Sequence, residues 1–471
     1  MAAPSLLGWG YLSGPTDLSG LGGQVLENGL AGNVLGGMGS GLAWAGGNTF
    51  LALPDRGPNA TNYGTQPSPL DNTVSYISRF QTVQMALTPG GVSINGTTAL
   101  PFAVTPTLTA TTLLSSPTPL NYGTGAGLGV TAAGTPVPNG APALNTTNNT
   151  NYFTGRSDNF GAGNSGNSAN ARLDPESIRM SNDGRSVFIS DEYGPYVYQF
   201  DRATGARIQS FTLPGNLYVA NPNAVGKNEE APNNTSGRVD NKGMEGLAIT
   251  PDGKTLVGIM QAPLLQDPSK LLRIVTIDIA TGTTHEYGYL LTNGSGVSEI
   301  TAINDHEFLV DERDGNGLGS GNAAGTKQLF KIDLTGATDI TNLTGTAAKN
   351  AAVSKTLFVD LVSLLNAQGW ASTVIPSKIE GMAFGADVVS GGTLYHTLWI
   401  ANDNDFLPGS PTDTTTSGPN EFYVLGVTDA DLRAVGSTGF APQGVPEPAP
   451  ITALALGLAG LGVARRYRRN R

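Results

Sequence analysis

An all-β chain folded as a β-propeller is what this sequence predicts, and three observations predict it. A pair of short strands that opens on an acidic residue recurs along the chain. The second strand of each pair ends in a polar cluster, and a third strand of alternating apolar and polar residues follows. The clearest copy runs from Asn241 to Val257, where Met244-Glu245-Gly246-Leu247-Ala248-Ile249 is one strand, Pro251-Asp252-Gly253 the turn, and Thr255-Leu256-Val257 the start of the next. Proline presets φ there and Asp-Gly accepts left-handed geometry, which closes a hairpin.

Taken in order, the chain begins with Trp9-Gly10-Tyr11-Leu12, a strand suited to closing a ring. Ser40 to Leu53 opens the first unit, with serine where later units carry glutamate. Glu176, Glu245, Glu299 and Glu380 open the others. Polar clusters end the second strands at Asp55-Arg56-Gly57, Asp191-Glu192-Tyr193, Asp311-Glu312-Arg313-Asp314 and Asn402-Asp403-Asn404-Asp405, while the Glu245 unit departs with Gln261-Ala262. Five units are legible; closure is expected to bring six, with seven open. Residues 1–440 are assigned to this body. From about Thr109 to Asn170 the composition reads as a low-complexity insertion, and no charged residue occurs between Arg79 and Arg156. An Asn- and Pro-rich insertion spans Tyr218 to Asp240, and a short amphipathic helix is expected around Leu357 to Leu365.

The net charge is −11, and it conceals a more acidic body, because five arginines lie in the last residues. Such a body argues against nucleic acid as a partner and suits bound divalent cations. Cysteine is absent, so disulfide and thiol chemistry are excluded. No nucleophile elbow, phosphate-binding P-loop or His-Glu-x-x-His motif occurs, which removes serine esterases, P-loop NTPases and zinc proteases of the usual kinds. No secretion signal is readable at Met1 to Gly10.

Residues 441–471 differ in kind. Val445-Pro446-Glu447-Pro448 precedes an apolar run, Ala449 to Ala464, expected to be a hydrophobic helix, and a basic end from Arg465 to Arg471. The three parts in this order resemble the PEP-CTERM sorting tail. That resemblance implies export in a Gram-negative bacterium to the envelope or beyond, transient anchoring in the inner membrane, and an exosortase-type enzyme as partner.

If the first strands line a channel, four glutamates share a confined space and must be neutralised by a cation or by neighbouring bases. Oxygen ligands without cysteine select Ca²⁺, with Mg²⁺ open. The alternative is that the glutamates cap backbone amides between blades. His285, His306 and His396 show no ligand spacing and read as incidental.

Asp55-Arg56-Gly57-Pro58-Asn59, Asp174-Pro175-Glu176-Ser177, Ser190-Asp191-Glu192-Tyr193-Gly194, Asn241 to Gly246, Glu312-Arg313-Asp314 and Lys378-Ile379-Glu380-Gly381 together resemble the phytase-like domain family, described as having esterase-like activity of phytase. The resemblance runs from about Gly41 to Val427 and implies phosphoester hydrolysis. For such hydrolysis with calcium, Glu176, Glu245, Glu299 and Glu380 are expected to act in catalysis on metal or water, and Arg56, Lys242, Arg313 and Lys378 to hold a phosphoester substrate. Asp55, Asp191, Glu192, Asp311, Glu312 and Asp403 are the expected metal ligands at the rim. The rival is a non-catalytic envelope propeller that binds carbohydrate or protein.

Overall fold

The computed structural model describes residues 4–26, 28–59, 73–122, 150–156, 163–223 and 226–445. The expected helix at 449–464 and the basic end lie outside them. The strands are β1 (Ser5–Leu12), β2 (Gly41–Trp44), β3 (Thr49–Leu53), β4 (Arg79–Val92), β5 (Ala99–Leu113), β6 (Ser115–Ser116), β7 (Asn151–Tyr152), β8 (Pro175–Met180), β9 (Ser186–Asp191), β10 (Val197–Asp201) and β11 (Arg207–Phe211). They continue with β12 (Met244–Ile249), β13 (Thr255–Met260), β14 (Leu271–Asp278), β15 (Thr284–Leu290), β16 (Gly296–Ala302), β17 (Glu307–Arg313), β18 (Lys327–Asp333), β19 (Lys355–Asp360), β20 (Lys378–Phe384), β21 (Val388–Ser390), β22 (Thr393–Asp403) and β23 (Asn420–Val427). Three short helices accompany them: α1 (Gly345–Asn350), α2 (Leu361–Ala367) and α3 (Asp429–Ala434).

Pairing groups these into four-stranded units: β2 to β5, β8 to β11, β12 to β15, β16 to β19, and a last one of β20, β22, β23 and β1. The first strands β2, β8, β12, β16 and β20 touch one another in that cyclic order, which is the arrangement of a propeller. Among the described residues there are five such units, where six were expected. The difference lies in β1, which adds to β23 as the outer strand of the last unit and so begins no blade of its own. The expectation that Trp9 to Leu12 closes the ring holds. β1 also pairs in parallel with β5, fusing the first and last units into one sheet.

Two local expectations change. Leu357 lies on β19, and the helix starts at Leu361, where the Asp360 carboxylate caps Ser363 N at 2.8 Å. The stretch from Thr109 is structured in part: β5 continues to Leu113, Leu114 and Phe153 are core residues, and Asn121 pairs with Asn170.

Apolar side chains alternate along each strand and meet between units. Phe188, Val197 and Phe211 pack on Met244, Leu247 and Leu256, and Ile259, Ile274 and Tyr289 pack on Val297, Ile300 and Val310. At the axis the first strands approach closely where glycines stand. A Cβ on Gly381 would stand 2.8 Å from Gly41 C and Leu42 N, and one on Gly246 would stand 2.8 Å from Ile300 N.

Gly381→Ala is expected to lower stability by ~1–3 kcal/mol through overpacking against backbone. Gly23→Ala, with nothing within 4 Å of its Cβ, should stay within ~0.5 kcal/mol. Urea denaturation midpoints of both variants check this.

Candidate functional site

The propeller geometry fixes which side chains meet at the mouth of the channel. When the buried apolar residues Leu42, Ile178, Leu247, Ile300 and Met382 are aligned, the residues two positions earlier are Ser40, Glu176, Glu245, Ser298 and Glu380. Their cross-strand partners are Ala52, Ile189, Gly258, Val310 and Ile400. Three residues beyond these partners stand Asp55, Glu192, Gln261, Arg313 and Asp403. Register shifts just before the apolar residue, at Pro175/Ile178, Met244/Gly246, Val297/Glu299 and Ile379/Met382, mark a bulge that recurs in four units.

These positions surround a cavity of about 250 Å³ that opens to solvent. Six carboxyls (Asp55, Glu176, Glu192, Asp240, Glu245, Glu380) and four bases (Arg56, Lys242, Arg313, Lys378) line it, an excess of two acids. Most of the bases are already paired. Arg56 Nη1 donates to Asp174 Oδ2 at 2.9 Å, and Lys378 Nζ meets Asp403 Oδ2 at 2.6 Å. Arg313 donates to Glu380 and to Ser298 Oγ, with Glu245 Oε1 at 3.7 Å. Lys242 differs, because its Nζ meets Gln261 Oε1 at 3.3 Å and forms no ion pair among the described residues.

The acids divide in the same way. Gln261 Nε2 donates to Glu245 Oε1 at 2.6 Å. Glu192 and Glu245 stand side by side as a hydrogen-bonded carboxyl pair. Glu176 accepts no hydrogen bond from any described residue, although it is only 7% exposed. Its carboxyl and those of Asp174 and Glu192 each offer an oxygen within 4.8 Å of the others. Burial, reinforced by Glu245 and Asp174, holds Glu176 and Glu192 well above the usual carboxylate range. Burial does the same for Asp55, with Asp403 adding to it. Glu245 is pushed up to about 7 by burial and Glu380, and Glu380 reaches about 7 by burial against the pull of Arg313 and Lys378.

Four of the expected site residues are placed elsewhere. Glu299 is one residue out of register with the other glutamates, so it takes the position of Gly41, Ser177, Gly246 and Gly381 and turns into the axis. There it accepts from Ser177 Oγ at 2.9 Å, Leu247 N at 3.1 Å and Ile300 N at 2.9 Å, and pairs with Arg179 at 2.9 Å. This is the amide-capping role left open as the alternative, realised at one glutamate. Asp191 accepts from Asp174 N at 2.6 Å and Gly194 N at 2.7 Å, holding the turn. Glu312 accepts from Tyr289 Oη at 2.7 Å and Thr292 N at 3.0 Å and pairs with Lys355, clasping two units. Asp311 is fully buried with both oxygens unpartnered, and burial pushes it up to about 8. Asp403 remains at the edge as the partner of Lys378. Asp174, Asp240, Asn241 and Gln261 are members that sequence reasoning did not single out. Asp174 and Asn241 stood inside motifs already noted, and their signal was adjacency to the glutamates.

A family model described as "Phytase-like: Esterase-like activity of phytase" matches residues 33–406. The chain belongs to that family. A relative from Arthroderma benhamiae, described as an uncharacterized secreted protein, is 32% identical over 195 residues, which is 34% of this chain and 37% of the relative. The chain thus spans little more than a third of that relative's length. Among solved structures, the Pseudomonas aeruginosa periplasmic gluconolactonase PpgL aligns over 88% of this chain and 94% of its own, with 11% identity and a TM-score of 0.31. The Kuenenia stuttgartiensis hydrazine synthase aligns over 78% of each chain with 11% identity and a TM-score of 0.31. Neither likeness is close enough to bear on the chemistry of this phytase-like chain.

Glu245, Glu299 and Glu380 reach about 7, above the ordinary 4.5. A raised acid keeps its proton in the folded state where the unfolded chain loses it, so the folded state is disfavoured as pH rises. Stability in the presence of chelator should therefore fall between pH 4.5 and 7, and go on falling toward pH 8 as Asp311, which reaches about 8, ionises, as read from urea midpoints at several pH values. A midpoint that rises over that window would contradict the assigned burial of these carboxyls.

Proposed function

We propose that the chain is an exported phosphoester hydrolase acting at the channel mouth with a divalent cation, Ca²⁺ in the first place. One observation carries the reading: a single cavity holds a buried acid, Glu176, and an ammonium, Lys242, that among the described residues have no hydrogen-bond donor and no carboxylate partner respectively. A phosphate ester carried with a cation supplies both missing partners. The excess of acids over bases in the cavity lining fits such a cation, because neighbouring bases do not neutralise the ring. When bound there, a cation of this kind holds phosphate oxygens and lowers the pKa of an attacking water.

The chain's own residues divide the remaining work. Lys242, Arg313 and Arg56 line the cavity from different units and orient phosphate oxygens, stabilising charge as it develops. Glu245, poised near neutrality and held by Gln261 Nε2 at 2.6 Å, is placed to accept the proton of a water. Asp55 and Asp403 keep Lys378 and the rim in place, and Asp191 and Glu312 support the turns beneath.

Export is supported by the name of the Arthroderma benhamiae relative and by the PEP-CTERM-like order of Pro446-Glu447-Pro448, apolar run and arginines. The tail would engage an exosortase-type enzyme while its apolar run rests in the inner membrane. Among the described residues no helix is long and apolar enough to cross a membrane. The rival reading, a binding propeller for carbohydrate, is disfavoured because among the described residues no aromatic ring lines the cavity.

The test is hydrolysis of a panel of phosphoesters with calcium and with chelator. Glu245→Gln should lower kcat by at least about 100-fold, while Lys242→Met should act mainly on KM. If no phosphoester is turned over under either condition, the binding reading replaces this one. In a Gram-negative host with an exosortase, mass spectrometry should find the mature chain shortened at its C-terminus; an intact basic end would remove the sorting role.

A further inference from the structure

We infer that Asp174, Glu176 and Glu192 form the cation site of this cavity, a three-carboxylate seat for Ca²⁺ supplied by the second unit alone. The inference deepens the proposed function, rests on its reading of the cavity as cation-assisted, and gives that cation a place. It differs from the ligand set expected from the rim residues, of which only Glu192 belongs to it.

The local fold builds the seat. Asp174 precedes β8, Glu176 lies on it, and Glu192 follows β9, so the three carboxyls meet at the open end of one hairpin. The register shift between Pro175 and Ile178 turns Glu176 away from the ladder and toward the cavity. Asp174 is held on both sides: Arg56 N donates to its Oδ1 at 3.0 Å and Arg56 Nη1 to its Oδ2 at 2.9 Å, while its own N donates to Asp191 Oδ2 at 2.6 Å. Its orientation is therefore fixed before any ligand arrives.

Glu176 points to a missing partner independently of the clustering. It is more than nine-tenths buried, lines the cavity and accepts no hydrogen bond among the described residues. The large majority of buried side-chain polar atoms in folded proteins have a partner. Three oxygens within 4.8 Å of one another match the span across an ion whose ligands lie at about 2.4 Å, the Ca²⁺ range. No histidine or cysteine takes part, which fits a hard cation. Lys242 and Arg313 line the same cavity, so an anionic ligand held by the ion would also be within the field of these bases.

Calorimetric titration of Ca²⁺ into the full chain, freed of metal by chelator, tests the assignment. The expected result is one ion per chain, with Glu176→Gln and Glu192→Gln each weakening binding by at least about tenfold. Glu380→Gln removes the same charge from another side of the same cavity and should change affinity less than about threefold. Circular dichroism checks that each variant is folded, and Glu192→Gln decides if Glu176→Gln is not. Absence of Ca²⁺ binding to the wild type overturns both this site and the calcium part of the proposed function. Binding that is indifferent to Glu176 and Glu192, or weakened equally by Glu380→Gln, overturns the site and leaves calcium dependence standing. Loss of binding in both variants, with no phosphoester hydrolysed by the wild type, upholds the site and removes the hydrolase reading alone.

Discussion

The ring depends on one buried ion pair at its axis. Arg179, on β8, donates through Nη1 to Leu42 O at 2.6 Å and through Nη2 to Ile300 O at 2.9 Å, while pairing with Glu299. Glu299 in turn accepts from Ser177 and from Leu247 N. The pair therefore ties the first, second, third and fourth units together, and Gly381 N donating to Gly39 O at 2.7 Å brings in the fifth. First strands converging on an axis leave backbone groups facing one another with no room for a hydrophobic filling. A guanidinium and a carboxylate satisfy several of those groups at once. Removing one partner of such a pair leaves an uncompensated buried charge, typically ~3–5 kcal/mol.

The same pair divides the channel. Along β8 the chain passes from Glu176, at the acidic cavity, to Arg179, which lines a separate cavity with Trp44, Phe384 and Phe440. The polar site is thus blind at its inner end. Its low-dielectric floor explains why carboxyls gathered at the mouth are held above their usual range, and why bases standing among them are found in pairs. What remains unpaired in the cavity is informative because so much else is satisfied.

Much of this was legible in the sequence, and what was not failed for one physical reason. The recurring turn chemistry and strand alternation gave the units, and Glu176, Glu245 and Glu380 do share one position at the cavity. Side chains in a strand alternate faces, so an error of a single residue sends a carboxylate from the cavity to the interior. Glu299 suffers that error, because Ser298 occupies the glutamate position in its unit. Asp191 and Glu312 lie one residue before the inward-facing Glu192 and Arg313 and point the other way for the same cause. A signal that would have set the register is the small residue after each inward side chain: Gly41, Ser177, Gly246 and Gly381 allow the first strands to touch, and Glu299 fills that position only by pairing with Arg179. The blade number was illegible for a different reason. A ring closed by a strand from the chain's start looks, in sequence, like the beginning of another unit.

Closure of the far end is the last consequence of the axis. After α3 the chain crosses the face opposite the acidic mouth: Ser437 and Thr438 donate to Glu307, Ala441 N donates to Ile303 O at 2.9 Å, and Gln443 Nε2 reaches Met180 O at 2.6 Å. Phe440 packs on Phe384, and the strap passes from the last unit across the fourth to the second. Because the strap lies on the other side of the Arg179–Glu299 pair, it covers the apolar end of the channel and leaves the acidic end free. Val445 is buried against the second unit's core with Met180 and Phe200. Val445, the last described residue, therefore lies on the side of the molecule away from the mouth.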